Sequence, residues 1–181
     1  MDPTVIAVSS SAQHTFSKST QPKINLIEGF GIEGDAHAGE FVKHRFLAKQ
    51  DATRPNIRQV HLMHTELFEE LNTKGFSVNP GELGENITTR GVDLLALPTS
   101  TKLRIGSQAI VELTALRNPC VQIDDFQKGL LKELVYQDEQ GNLVRKAGVM
   151  GIILNGGEVR PGNTIVIDLP PEPHQPLAYI W

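Results

Sequence analysis

Lys102-Leu103-Arg104-Ile105-Gly106-Ser107-Gln108-Ala109-Ile110-Val111-Glu112-Leu113-Thr114-Ala115-Leu116-Arg117-Asn118-Pro119-Cys120 carries two strand-like runs, Lys102 to Ile105 and Ala109 to Ala115, punctuated by Gly106. Similar short apolar runs recur on both sides of it. They are Val5 to Val8, Ile24 to Ile27, Glu85 to Thr89, Val149 to Leu154 and Thr164 to Ile167. Arg58 to Met63 alternates, with Gln59, His61 and Met63 on one side and Val60 and Leu62 on the other. Asn155-Gly156 between apolar runs predicts a hairpin, because a type I′ turn needs positive φ at both central residues. Only two segments have helical spacing. Residues 65–74 place Leu67, Phe68 and Leu71 on one face and stop at Gly75. Residues 126–134 repeat Phe126, Leu130, Leu131 and Leu134, with Asp124 or Asp125 as cap. Many short strands with few helices predict a mainly β chain, a barrel or sandwich rather than a doubly wound sheet.

The 181 residues suit one domain with its own core, and no internal repeat or linker divides them. A hydrophobic content of 39% and a charged content of 21% are those of a soluble globular protein. The formal net charge of −4 excludes a global field that would draw nucleic acid, though not a local basic pocket for a small anion. No leader-like segment or membrane-length apolar run is present, and one free thiol fits a reducing cytoplasm. The tail 170–181 opens on Pro170, Pro171, Pro173 and Pro176, so it should be extended. Its apolar end, Leu177 to Trp181, should dock on its own domain or on a partner subunit.

Cys120 follows a predicted strand and can form no internal disulfide. A thiolate is a nucleophile and a soft metal ligand, and Arg117 beside it would favour the charged form. A buried cysteine can equally be a small hydrophobe. Two glycine-rich stretches accompany it. Gly29 to Gly39 holds Gly34, Asp35 and His37, and permits close backbone approach to a ligand; it fits neither a dinucleotide fingerprint nor a phosphate-binding P-loop. Pro80 to Gly91 holds Asn86, whose amide can read the edge of a heterocycle or else bond only to local backbone. A zinc site from His37, His61 and Cys120 is conceivable, but no spacing selects it.

In order along the chain, Gly34-Asp35-Ala36-His37-Ala38-Gly39, Arg58-Gln59-Val60 and Gly81-Glu82-Leu83-Gly84-Glu85-Asn86-Ile87 resemble a MOSC domain, named for the C-terminal part of molybdenum cofactor sulfurases. Leu103 to Gly106, Val111 to Thr114, Pro119-Cys120 and Gly148 to Thr164 extend the resemblance over residues 5–168. The chain resembles the short stand-alone members, with Glu40 to Ile57 inserted where close short relatives run directly from His-Ala-Gly into Arg-Gln-Val. The resemblance implies a mixed β-barrel of the pyruvate-kinase-barrel-like type that binds the molybdenum cofactor (molybdopterin), with Cys120 as thiolate ligand to molybdenum. It implies that Asn86 contacts the pterin, Arg117 the cofactor near the thiolate, and Arg58 the pterin's phosphate. Gly34, Asp35 and His37 would line the same cleft. The implied activity is an oxidoreductase reducing N-hydroxylated compounds, with a small-molecule substrate and an electron-donor protein. The alternatives are a non-catalytic carrier or sensor of the cofactor or its sulfur, and a cysteine hydrolase using Cys120, His37 and Asp35. The basic insertion (Lys43, His44, Arg45, Lys49, Arg54) should start and end near the cleft, as a lid, a docking surface or a solvated loop.

Overall fold

A computed structural model describes residues 2–41 and 53–180, so Lys43, His44, Arg45 and Lys49 of the basic insertion lie outside the described residues. The main element is an eight-stranded sheet built from β1 (Thr4–Ser10), β2 (Ser19–Gln21), β5 (Val60–His64), β6 (Ile87–Arg90), β7 (Lys102–Ile105), β8 (Ala109–Leu116), β11 (Val149–Asn155) and β13 (Ile165–Asp168). Its order is β13-β7-β8-β11-β5-β6-β1-β2, with β5 and β6 parallel and the other pairs antiparallel. The chain is thus mainly β around a large mixed sheet. No closed barrel is defined by these strands. β1 pairs with β2 through Val8 to Ser10, and its first residue meets the residue before β13 in one bridge, Thr4 to Thr164. Val5 N donates to Asn163 O at 2.9 Å there, and Gly162 N to Val5 O at 2.8 Å.

Asn155-Gly156 does not make the expected hairpin. β12 (Gly157–Val159) turns away from β11 and pairs with β3 (Ile24–Ile27), which pairs with β4 (Gly31–Ile32) in a separate three-stranded sheet. The turn is a corner between sheets. A Cβ at Gly156 would stand 2.6 Å from the Leu26 carbonyl, so glycine lets β3 pass close by.

The first helix, α1 (Thr65–Thr73), buries Leu67, Phe68 and Leu71, and the chain leaves it through Gly75 at φ +88°. The second expected helix is broken into α2 (Gln122–Phe126) and α3 (Leu131–Leu134). Gly129 interrupts it at φ +88°, and the Asp124 carboxylate accepts from Gly129 N at 3.2 Å and Leu131 N at 2.8 Å. Asp124 therefore satisfies the start of α3 rather than capping one long helix. The short strands β9 (Val135–Gln137) and β10 (Leu143–Arg145) form a separate hairpin. A one-turn 3₁₀ helix at Leu94–Ala96 follows β6.

Strand β5 is buried at every residue because each face meets a different core. Val60 and Leu62 join Val5, Val8, Ile87, Leu103, Val111 and Val149 in the main core. Met63 points the other way, into a second core with Leu67, Phe68, Leu71, Leu83, Ile123 and Leu130. The alternation read from the sequence is real, but its second face is covered by α1, α2 and α3 rather than by water. No helix among the described residues is long and apolar enough to cross a membrane.

Candidate functional site

On the face of the sheet opposite the main core, His61 on β5 and its register partner Met150 on β11 line a cavity of about 400 Å³. Arg58, Gln59, Asn86, Arg117, Asn118, Cys120 and Gln122 line it as well, joined by Phe16, Lys18, His37, Asn56 and Tyr179. Of the residues singled out in the sequence, Cys120, Arg58, Arg117, Asn86 and His37 thus share one cavity. Gly34 and Asp35 do not line it. Gly34 is exposed at φ +75° in the turn before Asp35, and nothing approaches its Cβ position, so its role here is conformational.

Asp35 stands behind the wall as the hub of a buried network. Its carboxylate accepts from Lys18 Nζ at 2.9 Å, with side chains 6% and 2% exposed. It also accepts from His37 N at 2.9 Å, Asn86 Nδ2 at 3.2 Å and Ser11 N at 3.3 Å, and His37 Nδ1 lies 3.2 Å away. Burial alone would raise the Asp35 pKa. The His37 hydrogen bonds and the Lys18 charge outweigh it and hold this carboxyl well below the ordinary range. Burial in turn lowers the Lys18 pKa, against the pull of Asp35. Lys18 is a cavity residue that the sequence did not signal, since its partner is remote along the chain. Gly81 makes its placement possible: at φ +85°, a Cβ there would lie 2.3 Å from the Lys18 carbonyl.

Asn86 is equally committed. Its amide donates to Ser9 O at 3.1 Å and to Asp35, and accepts from His61 N at 3.2 Å. These bonds reach three other segments, so it is neither free to read a ligand with its donors nor a local turn cap. His61 donates from Nε2 to the Ala147 carbonyl at 2.8 Å, because a carbonyl can only accept. Burial, reinforced by the charge of Arg117, lowers its pKa to about 3, so it is neutral. Gly148 makes room for this bond, since a Cβ there would stand 2.8 Å from His61 Nε2 at φ +88°.

The remaining wall is different. Pro119 and Cys120 end the excursion that leaves β8, anchored by Arg117 N donating to Gly148 O at 2.9 Å. The Cys120 thiol is half-buried and lies 3.7 Å from Gln122 Oε1. No hydrogen bond is seen between Cys120 and His37, as a cysteine hydrolase would need. Arg117 Nη1 is sealed from solvent with no hydrogen-bond partner among the described residues. Burial depresses the pKa values of Arg117 and Arg58, yet a guanidinium stays charged. Arg58 lies half-buried against the Tyr179 ring and donates from Nη2 to the Ile180 carbonyl. Tyr179 is another lining residue that the sequence did not single out; its apolar segment was expected to dock on its own domain or on a partner subunit, and it docks on the domain. Beneath the cavity Glu85 is fully buried, which raises its pKa; both Gly81 N (2.6 Å) and Thr88 Oγ1 (3.0 Å) donate to Oε1, leaving Oε2 without a partner.

The two ends of the insertion meet at this cleft, as expected. Phe41 bridges Pro55, Asn56 N donates to Glu40 O at 3.0 Å, and Asn56 Nδ2 donates to Gly39 O at 3.0 Å. Among the described residues, no group of three His, Cys, Asp or Glu side chains is placed to hold a metal ion, so a zinc site from His37, His61 and Cys120 does not assemble.

Comparison with solved structures places the fold beside the YuaD protein of Bacillus subtilis, with a TM-score of 0.73 at 20% identity, covering 92% of this chain and 96% of that one. YiiM from Escherichia coli aligns with a TM-score of 0.64 at 15% identity, covering 97% of this chain and 73% of that one. YiiM from Geobacillus stearothermophilus gives 0.61 at 14% identity, over 92% and 75% of the two chains. No curated protein gives a significant sequence match. The family model for the MOSC domain matches residues 36–166, from the Asp35–His37 loop through the Cys120 excursion to the start of β13. The chain belongs to the MOSC domain family.

Proposed function

We propose that this cleft binds the molybdenum cofactor through Cys120 and that the protein is an oxidoreductase acting on N-hydroxylated compounds. The observation that carries the reading is a half-buried thiol opening onto a 400 Å³ cavity beside Arg117, whose Nη1 is buried and unpartnered. That volume lies in the range of small-molecule sites. A soft thiolate suits a molybdenum centre, and fork-shaped guanidinium groups suit phosphate, so the donor set fits the group.

In this reading Cys120 is the metal ligand, Arg117 donates Nη1 to the bound group, and Arg58 takes the phosphate. Asn86 and Asp35 fix the wall, and neutral His61 presents a non-ionised ring surface to the cavity. When bound, the cofactor would supply a centre that cycles between oxidation states and moves an oxo group. Electrons would come from a donor protein, since nothing in the chain resembles a flavin, haem or iron–sulfur site. The half-exposed thiol supports turnover of a substrate arriving from solvent more than storage, and its free state suits a reducing cytoplasm. The barrel closure implied by the family belongs to the same reading, supported by the Thr4 to Thr164 bridge.

Purification from a molybdenum-replete, cofactor-competent host tests it. Wild type should retain stoichiometric molybdenum, and Cys120→Ser should lose it with unchanged circular dichroism. Stoichiometric metal in the serine variant would sink the ligand assignment. Reduction of an N-hydroxylated compound by the loaded protein with a chemical reductant separates an enzyme from a carrier.

A further inference from the structure

Two guanidinium groups approach one tyrosine. Arg58 Cζ lies 5.8 Å and Arg145 Cζ 4.6 Å from the Tyr179 ring centroid. Neither arginine forms an ion pair with a carboxylate among the described residues. Arg145 Nε is buried without a hydrogen-bond partner there, and Arg58 Nη2 donates to the Ile180 carbonyl. Tyr179 lines the cavity of Cys120, whereas Arg145 lines a second cavity of about 460 Å³ with His64, Tyr136 and Lys146. The two cavities therefore adjoin at this stack.

The segment that carries Tyr179 is tied down upstream of it. Thr99 N donates to Gln175 O at 2.8 Å and Leu177 is buried, while the bond from Leu116 N to Ala178 O at 2.9 Å sits at the hinge and opens when residues 179–180 leave. Tyr179 and Ile180 meet both arginines, Arg58 through the ring, the phenol and the Ile180 carbonyl, and Arg145 through the ring. A ring face and a neutral carbonyl satisfy a guanidinium only weakly; a phosphoryl or carboxylate oxygen makes a charge-assisted, bidentate bond about twice as strong.

We propose that Arg58 and Arg145 form a two-guanidinium anion site whose resting occupants are the chain's own residues 179–180. A ligand bearing phosphoryl groups displaces the Tyr179–Ile180 strap and recruits Arg145 beside Arg58, joining the two cavities. The inference rests on the assignment of Arg58 to an anionic group in the proposed function, and adds to it Arg145 and the exchangeable strap.

Inorganic pyrophosphate is the probe. Its binding is measured calorimetrically on the full chain, on Tyr179→Ala, on a deletion of residues 178–181 that keeps Leu177 in the core, and on Arg58→Ala and Arg145→Ala. Hydrogen exchange of the Leu116 amide, which bonds to Ala178, reads strap release in the unmodified protein. Expected are faster Leu116 exchange with pyrophosphate and about tenfold tighter binding in both strap variants, with about tenfold weaker binding in each arginine variant. Binding that needs Arg58 but leaves Leu116 protected, or that ignores the strap variants or Arg145, overturns the strap and leaves the Arg58 assignment standing. No binding, or binding indifferent to Arg58→Ala, overturns both. Should the strap variants fail to fold, the Leu116 exchange of the unmodified chain decides.

Discussion

Two walls of the cleft treat charge in opposite ways. On the first, the Asp35 carboxylate is met by Lys18, His37, Asn86 and Ser11, so each buried charge has a partner. On the second, Arg58 and Arg117 carry charge without a paired carboxylate among the described residues, and Arg117 Nη1 is buried with no partner. A satisfied buried network rigidifies a fold, whereas an unsatisfied buried donor costs stability and survives where a ligand completes it. In the proposed reading the first wall is scaffold and the second is the surface that meets the ligand, although the sequence offers both as equal candidates.

The largest expected effect tests the scaffold wall. Asp35→Ala leaves Lys18 charged and buried, and should cost about 3–5 kcal/mol in urea or guanidinium unfolding. The double variant Asp35→Leu with Lys18→Met should recover most of that loss, because it removes both charges together. A single variant as stable as wild type would mean that water already solvates Lys18, and the distinction between the walls would fall.

The pH dependence of stability sharpens the same contrast. His61 has a folded pKa lowered to about 3 by burial and the Arg117 charge, against about 6.5 in an unfolded chain. Between these values the unfolded state binds a proton that the folded state refuses, so stability rises with pH from about 3 to 6.5. His64, also lowered by burial, acts in the same direction. Asp35 is depressed instead: its contribution is complete above about 4 and is lost as pH falls further. Urea unfolding between about pH 4.5 and 7 separates the histidines from Asp35. Glu85, raised by burial, contributes a fall in stability with rising pH in the same window, and measuring each slope in a Glu85→Gln background removes it from the comparison. His61→Gln retains a donor for the Ala147 carbonyl and should flatten most of that slope. An unchanged slope would place the titration elsewhere.

What the sequence disclosed follows the range of the forces involved. The strands around Cys120, the helix at 65–74 and the cleft residues Cys120, Arg58, Arg117, Asn86 and His37 were legible, because local periodicity and ordered motifs mark them. The split of α2 from α3 was hidden: a helical pattern gives no sign that Asp124 will bond across Gly129. The corner at Asn155-Gly156 depends on β3, which the chain left far upstream. Lys18, the saturation of Asn86 and the stacking of Arg58 on Tyr179 are likewise products of distant contact. Types of residue predict which groups can do chemistry; only packing shows which are already spoken for.

The smallest expected effect comes from the second wall and completes the comparison. Arg117→Met replaces a guanidinium that forms no ion pair among the described residues and whose Nη1 has no partner with an apolar side chain of similar reach, while the backbone bond from residue 117 to Gly148 O is untouched. Removing a charge that burial penalises and no carboxylate pairs relieves its desolvation cost, so unfolding free energy should change by less than about 1 kcal/mol, or rise. Molybdenum retention should fall sharply in the same variant, because the donor beside Cys120 is gone. Stability and binding then move independently, as they do where a site holds groups the fold alone does not need. Glu85 lies under the same cavity, and its carboxyl is raised by burial, with Arg117 opposing that rise. Loss of the guanidinium should push it further toward the neutral form, which needs no counter-charge. If Arg117→Met unfolds as readily as Asp35→Ala, the arginine is scaffold too, and the ligand-facing wall must be sought elsewhere.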